Sequence, residues 1–304
     1  MSYDSNRQEE LQNCNFVKTV LMIIVVLYHS VLFWKGTWFT GTPARSAPIL
    51  VVLSNWMNSF HIYGFTLVSG YLFFFLKQEK GKYPRFLPFM LNKARRLLIP
   101  YAFVALVWVI PFSVYYFKYD VVDIVKRFVL GASPSQLWFL LMLFGVFVIF
   151  YPLSNFFERH NVYGAALVIL FYGIGLIGQQ ILPNVFQLCR ACSYLPLFWI
   201  GFKIRQYGLG WLRKIPAIAM VCFDIILFDF AQYVAGLDGV VFEMLNIGLE
   251  FMLHIIGAIM AFVVLQKVAE LVNWKSRKTF VFLAGIQCRY ICSINRSYMY
   301  AYFC

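Results

Sequence analysis

Charge is what this sequence has least of. Of its 304 residues only 13% are Asp, Glu, Lys or Arg, whereas 62% are hydrophobic. A soluble domain carries about 25% charged and about 45–50% apolar residues. The composition therefore excludes a soluble globular fold. It predicts an all-α, polytopic transmembrane helix bundle. Acids are scarcer still, 13 against 26 Lys plus Arg, for a net charge of +13. In a soluble protein that excess would suggest nucleic acid. Here the cations sit in short loops between apolar runs, as membrane orientation requires, and no nucleic-acid partner is expected. The seven cysteines form no framework. Cys189 and Cys192 make a lone CxxC with no second pair, so no metal is expected. Residues 1–14 are polar and mixed in charge, and the first apolar run has no small-residue cleavage pattern after it. They read as a cytoplasmic leader rather than a signal peptide.

Apolar runs predict helices at about 15–34, 48–76, 97–117, 136–154, 162–182, 186–204, 215–234 and 244–266, for about 8–9 helices in the chain. The second run is longer than the roughly 20 residues a bilayer needs, so a tilt or a break near Gly64 or Gly70 is expected. Pro100 is expected in the first turn of the third helix, where proline is tolerated. Residues 77–97 form the most basic loop, with Lys77, Lys80, Lys82, Arg85, Lys93, Arg95 and Arg96 against Glu79 alone. Placing that loop and the N-terminus in the cytoplasm sends the other basic loops (155–161, 203–214, 267–278) to the same side. The expected home is the plasma (inner) membrane.

The first apolar run carries the most informative pattern. Lys18 and His29 are eleven residues apart, close to three helical turns, so they share one face about 16 Å apart along the axis. Asn15 lies one turn before Lys18 on that face. An ionisable group inside a membrane is costly and tends to mark a site. By the same rule Asp224, Asp229, Glu250 and His254 stand out in later helices, without an assignable role. His61 is expected at an interface.

This stretch resembles the first membrane helix of the acyltransferase 3 family of integral-membrane O-acyltransferases. Members usually open with Asp, an Arg three residues on and a His eleven after the Arg. Asn15, Lys18 and His29 occupy those places, so the histidine and spacing match while the Asp and Arg do not. Lys cannot reproduce the arginine fork. Further pieces are similar in order and spacing: Phe65 to Phe73 with Ser69-Gly70-Tyr71-Leu72, Lys93 to Tyr101, Leu137 to Leu140, and Tyr194 to Gly201. The resemblance covers roughly residues 13–284 and implies about ten helices. It also implies acyl-CoA as co-substrate with no bound cofactor, and a hydroxyl acceptor.

On that resemblance the expected function is transfer of an acyl group, acetyl, from acyl-CoA to a hydroxyl of a cell-surface or lipid-linked glycan. His29 is the candidate catalytic base, since a histidine titrates near operating pH. Lys18, Arg95 and Arg96 are candidates for the donor's phosphates, with Asn15 beside Lys18 on the same face; positive-inside anchoring and snorkelling are the alternatives. Ser69 and Tyr71 are candidates for the acyl oxygen, or simply for helix packing. Trp138 lines the acyl path or belongs to an aromatic belt. Membrane lipids are the remaining partner. The competing readings are a transporter or flippase subunit, which would more often show internal repeats that are missing here, and an inactive truncated product.

The last reading comes from residues 285–304. They hold three of the seven cysteines and follow an apolar run that stops at Ala284. Degenerate codons for Gly285 to Arg296 permit, in a shifted frame, Tyr-Ser-Met-Pro-Ile-Tyr-Leu-Phe-His-Gln-Gln. That resembles the family's Tyr-Leu-Phe-His motif. The domains expected are thus 1–14 leader, 15–284 membrane domain and 285–304 a frameshifted or truncated C-terminus.

Overall fold

The computed structural model describes residues 2–35 and 47–272, and the side chains of 11–31 and 47–272. The segment 285–304 lies outside the described residues. Among these residues there is no strand. Among the described residues eight helices are long and apolar enough to cross a membrane. They are α1 (Ser2–Lys35), α2 (Pro48–Phe74), α3 (Phe86–Val104), α4 (Trp138–Arg159), α5 (Asn161–Ile181), α6 (Leu188–Tyr207), α7 (Ala217–Ala235) and α8 (Val240–Val272). The chain is an all-α polytopic helix bundle.

Three expectations are corrected. The first helix starts earlier than residue 15: α1 begins at Ser2, because nothing from Ser2 to Lys35 is Gly or Pro and the start is rich in good helix formers. The second helix does not break at Gly64 or Gly70. It runs through both and changes its ladder only at a π turn, Phe75–Glu79. Most of the supposed basic loop is helical, since the π turn runs to Glu79 and α3 starts at Phe86 and continues through a second π turn, Ala105–Val109, to Phe117. Pro100 therefore lies in the helix interior rather than its first turn. Lys93 is tolerated on this helix because its ammonium lies over the Phe147 ring, 4.0 Å from the centroid. The long stem follows apolar surface and the charge faces a π cloud.

The chain divides into two compact units, residues 1–72 with 207–304, and residues 73–206. In the first, Cys14, Val17 and Leu21 are fully buried at helical spacing on α1. Phe16 packs on Ala269 of α8. Gly64 brings α2 against α1: a Cβ there would stand 3.2 Å from Leu21 Cδ1. Phe228 and Ala231 of α7 meet Leu253 of α8, with Trp56 of α2 against them.

The second unit has an aromatic core. Phe73, Phe89, Phe147, Phe150, Phe198 and Phe202 are all buried. The Phe150 ring lies 4.7 Å from both Phe157 and Phe198. At one end of this core Glu79 pairs with Arg205 through two oxygens, at 2.6 and 2.9 Å. Lys203, itself buried, donates to Asn161 Oδ1 at 2.6 Å and Gln206 Oε1 at 2.8 Å.

Candidate functional site

His29 sits near the end of α1, half-buried. Its Nδ1 lies 2.7 Å from the Val25 carbonyl oxygen. A carbonyl only accepts, so Nδ1 carries the hydrogen. In the neutral ring Nε2 is then the nitrogen that carries no hydrogen. The helix thus fixes both tautomer and ring orientation with its own backbone. Tyr28, next in the chain, has its ring 5.1 Å from His29 and 4.9 Å from His61 of α2.

His61 was expected at an interface. It is instead buried to 1% exposure near the middle of its span. Its Nδ1 approaches the Met57 carbonyl at 2.5 Å, the same i−4 geometry as His29. Only its position near the centre of an overlong apolar run pointed to this in the sequence. Farther along α2, Tyr63 makes an edge contact with the ring of His254 on α8, 3.7 Å between centroids. The Nδ1 of His254 is in turn bonded to the Glu250 carbonyl. Asp224 of α7 is fully buried and accepts from the Trp56 indole at 2.9 Å. Histidine, tyrosine, tryptophan and aspartate therefore gather on helices that are otherwise apolar.

The other predicted residues fall into two groups. Asn15, Lys18 and His29 share α1, as their spacing requires, and Ser69 and Tyr71 lie on α2 in the same unit. Asn15 offers its carbonyl to Thr19 Oγ1 at 2.9 Å. Ser69 Oγ donates to the Phe65 carbonyl at 2.8 Å, which spends its hydrogen on the helix and leaves it an acceptor. Tyr71 is buried against Phe262 of α8, 5.0 Å between rings. Arg95, Arg96 and Trp138 belong to the second unit. Arg95 is exposed and Arg96 half-buried on α3. Lys82 is pulled below the ordinary lysine range, first by partial desolvation of its ammonium and then by the like charge of Arg96. Trp138 opens α4 with its ring 5.8 Å from Tyr194. It lies nine residues, about 13 Å of helix, from the Phe147 that Lys93 covers, so it does not share a level with the α3 cations.

Residues 11–286 match the model of a protein family described as an acyltransferase domain, acyltransferase 3. The chain belongs to the acyltransferase 3 family. No curated protein and no solved structure matches it. An acyltransferase 3 member is a membrane acyltransferase, with an acyl donor and an acceptor as its partners in a lipid environment. Among the described residues no three His, Cys, Asp or Glu side chains are grouped as for a metal ion. Cys189 and Cys192 are both free thiols.

Proposed function

We propose that this acyltransferase moves an acetyl group from acetyl-CoA to a hydroxyl of a cell-surface or lipid-linked glycan, with His29 as general base. The observation that carries the assignment is the bond from His29 Nδ1 to the Val25 carbonyl. In the neutral ring it makes Nε2 the nitrogen without a hydrogen, positioned inside an apolar span. In the step proposed, Nε2 takes the proton of the acceptor hydroxyl as its oxygen attacks the thioester carbonyl. The C–O bond of the new ester forms, the C–S bond breaks, and the proton passes to the departing thiolate of CoA. The Tyr28 ring, edge-on to His29, restricts the movement of the imidazole. Lys18, on the same face as His29 with Asn15 before it, faces the donor. Arg95 and Arg96, beside Lys82, suit the phosphates of CoA. Ser69 and Tyr71 lie eight and ten residues beyond His61 on α2, about 12 and 15 Å along the axis from the level of His29, so they belong with the donor side near Lys18, Ser69 as an acceptor only in its present geometry.

The basic 77–97 segment supports a plasma-membrane orientation with the N-terminus in the cytoplasm. Residues 285–304 are best read as out of frame; sequencing the coding DNA past codon 304 tests that part independently. The central test is His29→Ala in membranes supplied with radiolabelled acetyl-CoA. A positioned base contributes about 100- to 10,000-fold, so label transfer to glycan falls by at least about 100-fold. Transfer at the original rate would exclude His29 as the base. A transporter or flippase, the competing class, would show no transfer with either chain.

A further inference from the structure

At the end of the second unit formed by residues 130–138 and 182–190, one arginine has no counter-charge among the described residues. Its placement begins with two glycines three residues apart on α5. A Cβ at Gly175 would stand 2.6 Å from the Ser193 backbone nitrogen, and one at Gly178 would stand 2.8 Å from Cys189 Sγ. Only hydrogen fits there, and α5 is thereby pressed against the first turns of α6. That contact brings Gln179 across. Its Nε2 donates to Ser193 Oγ at 2.9 Å, and its Oε1 accepts from Arg190 Nε at 3.2 Å. The Arg190 guanidinium lies over the Trp138 ring, 4.5 Å from the centroid.

The guanidinium is thus covered by an indole and aimed by one amide. Among the described residues its two Nη groups have no protein acceptor and no carboxylate pairs with it. A charge at the edge of an apolar span is costly without a partner. The neighbouring residues indicate where that partner comes from. Ile181, Leu182, Phe186 and Leu188 are 71, 57, 50 and 47% exposed, as side chains that face lipid would be. A planar fork with two free donors matches a phosphate through paired hydrogen bonds, and Arg does this better than Lys.

We propose that Arg190, stacked on Trp138 and oriented by Gln179, binds the phosphate of a membrane lipid. The ligand class is a lipid phosphate, whether a phospholipid headgroup or the phosphate joining a glycan to its lipid carrier. The site goes beyond the acyl-transfer reading and is tested with no acyl donor present, so either can fail without the other.

The experiment is native mass spectrometry of the full chain in an uncharged detergent, titrated with phosphatidic acid. Diacylglycerol is run in parallel, and inorganic phosphate is added as competitor at equal concentration. Wild type retains phosphatidic acid, Arg190→Gln binds it at least fivefold more weakly, and Arg159→Gln, a cation on another helix end, matches wild type. Equal retention by Arg190→Gln, equal retention of diacylglycerol, or displacement by inorganic phosphate overturns the proposal. If Arg190→Gln does not purify as a folded chain, Arg190→Lys decides. It keeps the charge but loses the fork, and is expected to bind at least threefold more weakly; binding equal to wild type overturns the proposal.

Discussion

The two units of this chain spend their buried volume differently. Residues 73–206 fill it with rings: Phe73, Phe89, Phe147, Phe150, Phe198 and Phe202. At one margin Glu79 pairs with Arg205, and Lys203 is held by two amides. Residues 1–72 and 207–272 bury His61, Asp224 and Gln266 and hold His29 and His254 half-buried. Apolar packing alone would not choose those residues, because each must find a hydrogen-bond partner in a medium that supplies none. The aromatic unit is organised for packing, and the polar unit carries what packing does not need. That is the physical ground for looking for the chemistry on α1 and α2.

The largest expected effect tests the aromatic half. Phe150 is fully buried, with Phe157, Phe198 and Phe202 rings within 5.2 Å. Phe150→Ala should cost about 3–5 kcal/mol, through lost contacts and the cavity left behind. Denaturant titration of the purified chain reads that loss, and the turnover of the molecules still folded should stay near wild type. A normal midpoint together with lost turnover would reverse the comparison, because the aromatic unit would then be part of the chemistry.

A smaller effect tests the polar half. Asp224 Oδ2 is the acceptor for the Trp56 indole, and Gly257 leaves the room: a Cβ there would be 3.0 Å from Asp224 Oδ1. Asp224→Ala strands the indole N–H in the interior and should cost about 1–3 kcal/mol. Asp224→Asn keeps an oxygen for Trp56 and should cost less. Thermal unfolding followed by tryptophan fluorescence orders the three chains. If Asp224→Asn instead unfolds normally but abolishes transfer, the carboxyl charge rather than the acceptor is what matters there.

What the sequence disclosed follows the same division. All eight spans were legible because a bilayer imposes a length and a composition on any helix that crosses it. The shared face of Asn15, Lys18 and His29 was legible because it depends only on spacing within one helix. Three kinds of feature were hidden. Cations concealed the first three turns of α3, since Lys93, Arg95 and Arg96 look like a loop until an aromatic ring is found under Lys93. Long-range partners were invisible: Trp56 and Asp224 are 168 positions apart, and neither residue type predicts the other. Burial of His61 was masked by its polarity, which suggests a membrane boundary unless a backbone carbonyl four residues earlier satisfies it.

The smallest expected effect separates the two roles open to Ser69. Its hydroxyl donates to the Phe65 carbonyl, four residues back on the same helix. A serine bonded to its own backbone satisfies itself locally and slightly weakens the helix rather than holding a neighbour. Removing the whole hydroxyl, unlike stranding one partner, leaves the Phe65 carbonyl in its ordinary helical bond. Ser69→Ala should therefore shift stability by no more than about 1 kcal/mol. Transfer decides the rest. If Ser69 serves only the packing of α2, kcat and KM both stay at wild-type values in the acetyl-CoA assay. If its oxygen accepts a hydrogen bond from the acceptor's hydroxyl, KM for the acceptor rises severalfold while kcat holds. If it turns to donate to the developing oxyanion, kcat falls instead, because that interaction exists only in the transition state. The observed bond to Phe65 favours the first outcome, and a fall in kcat would require the serine to leave its helix carbonyl during turnover.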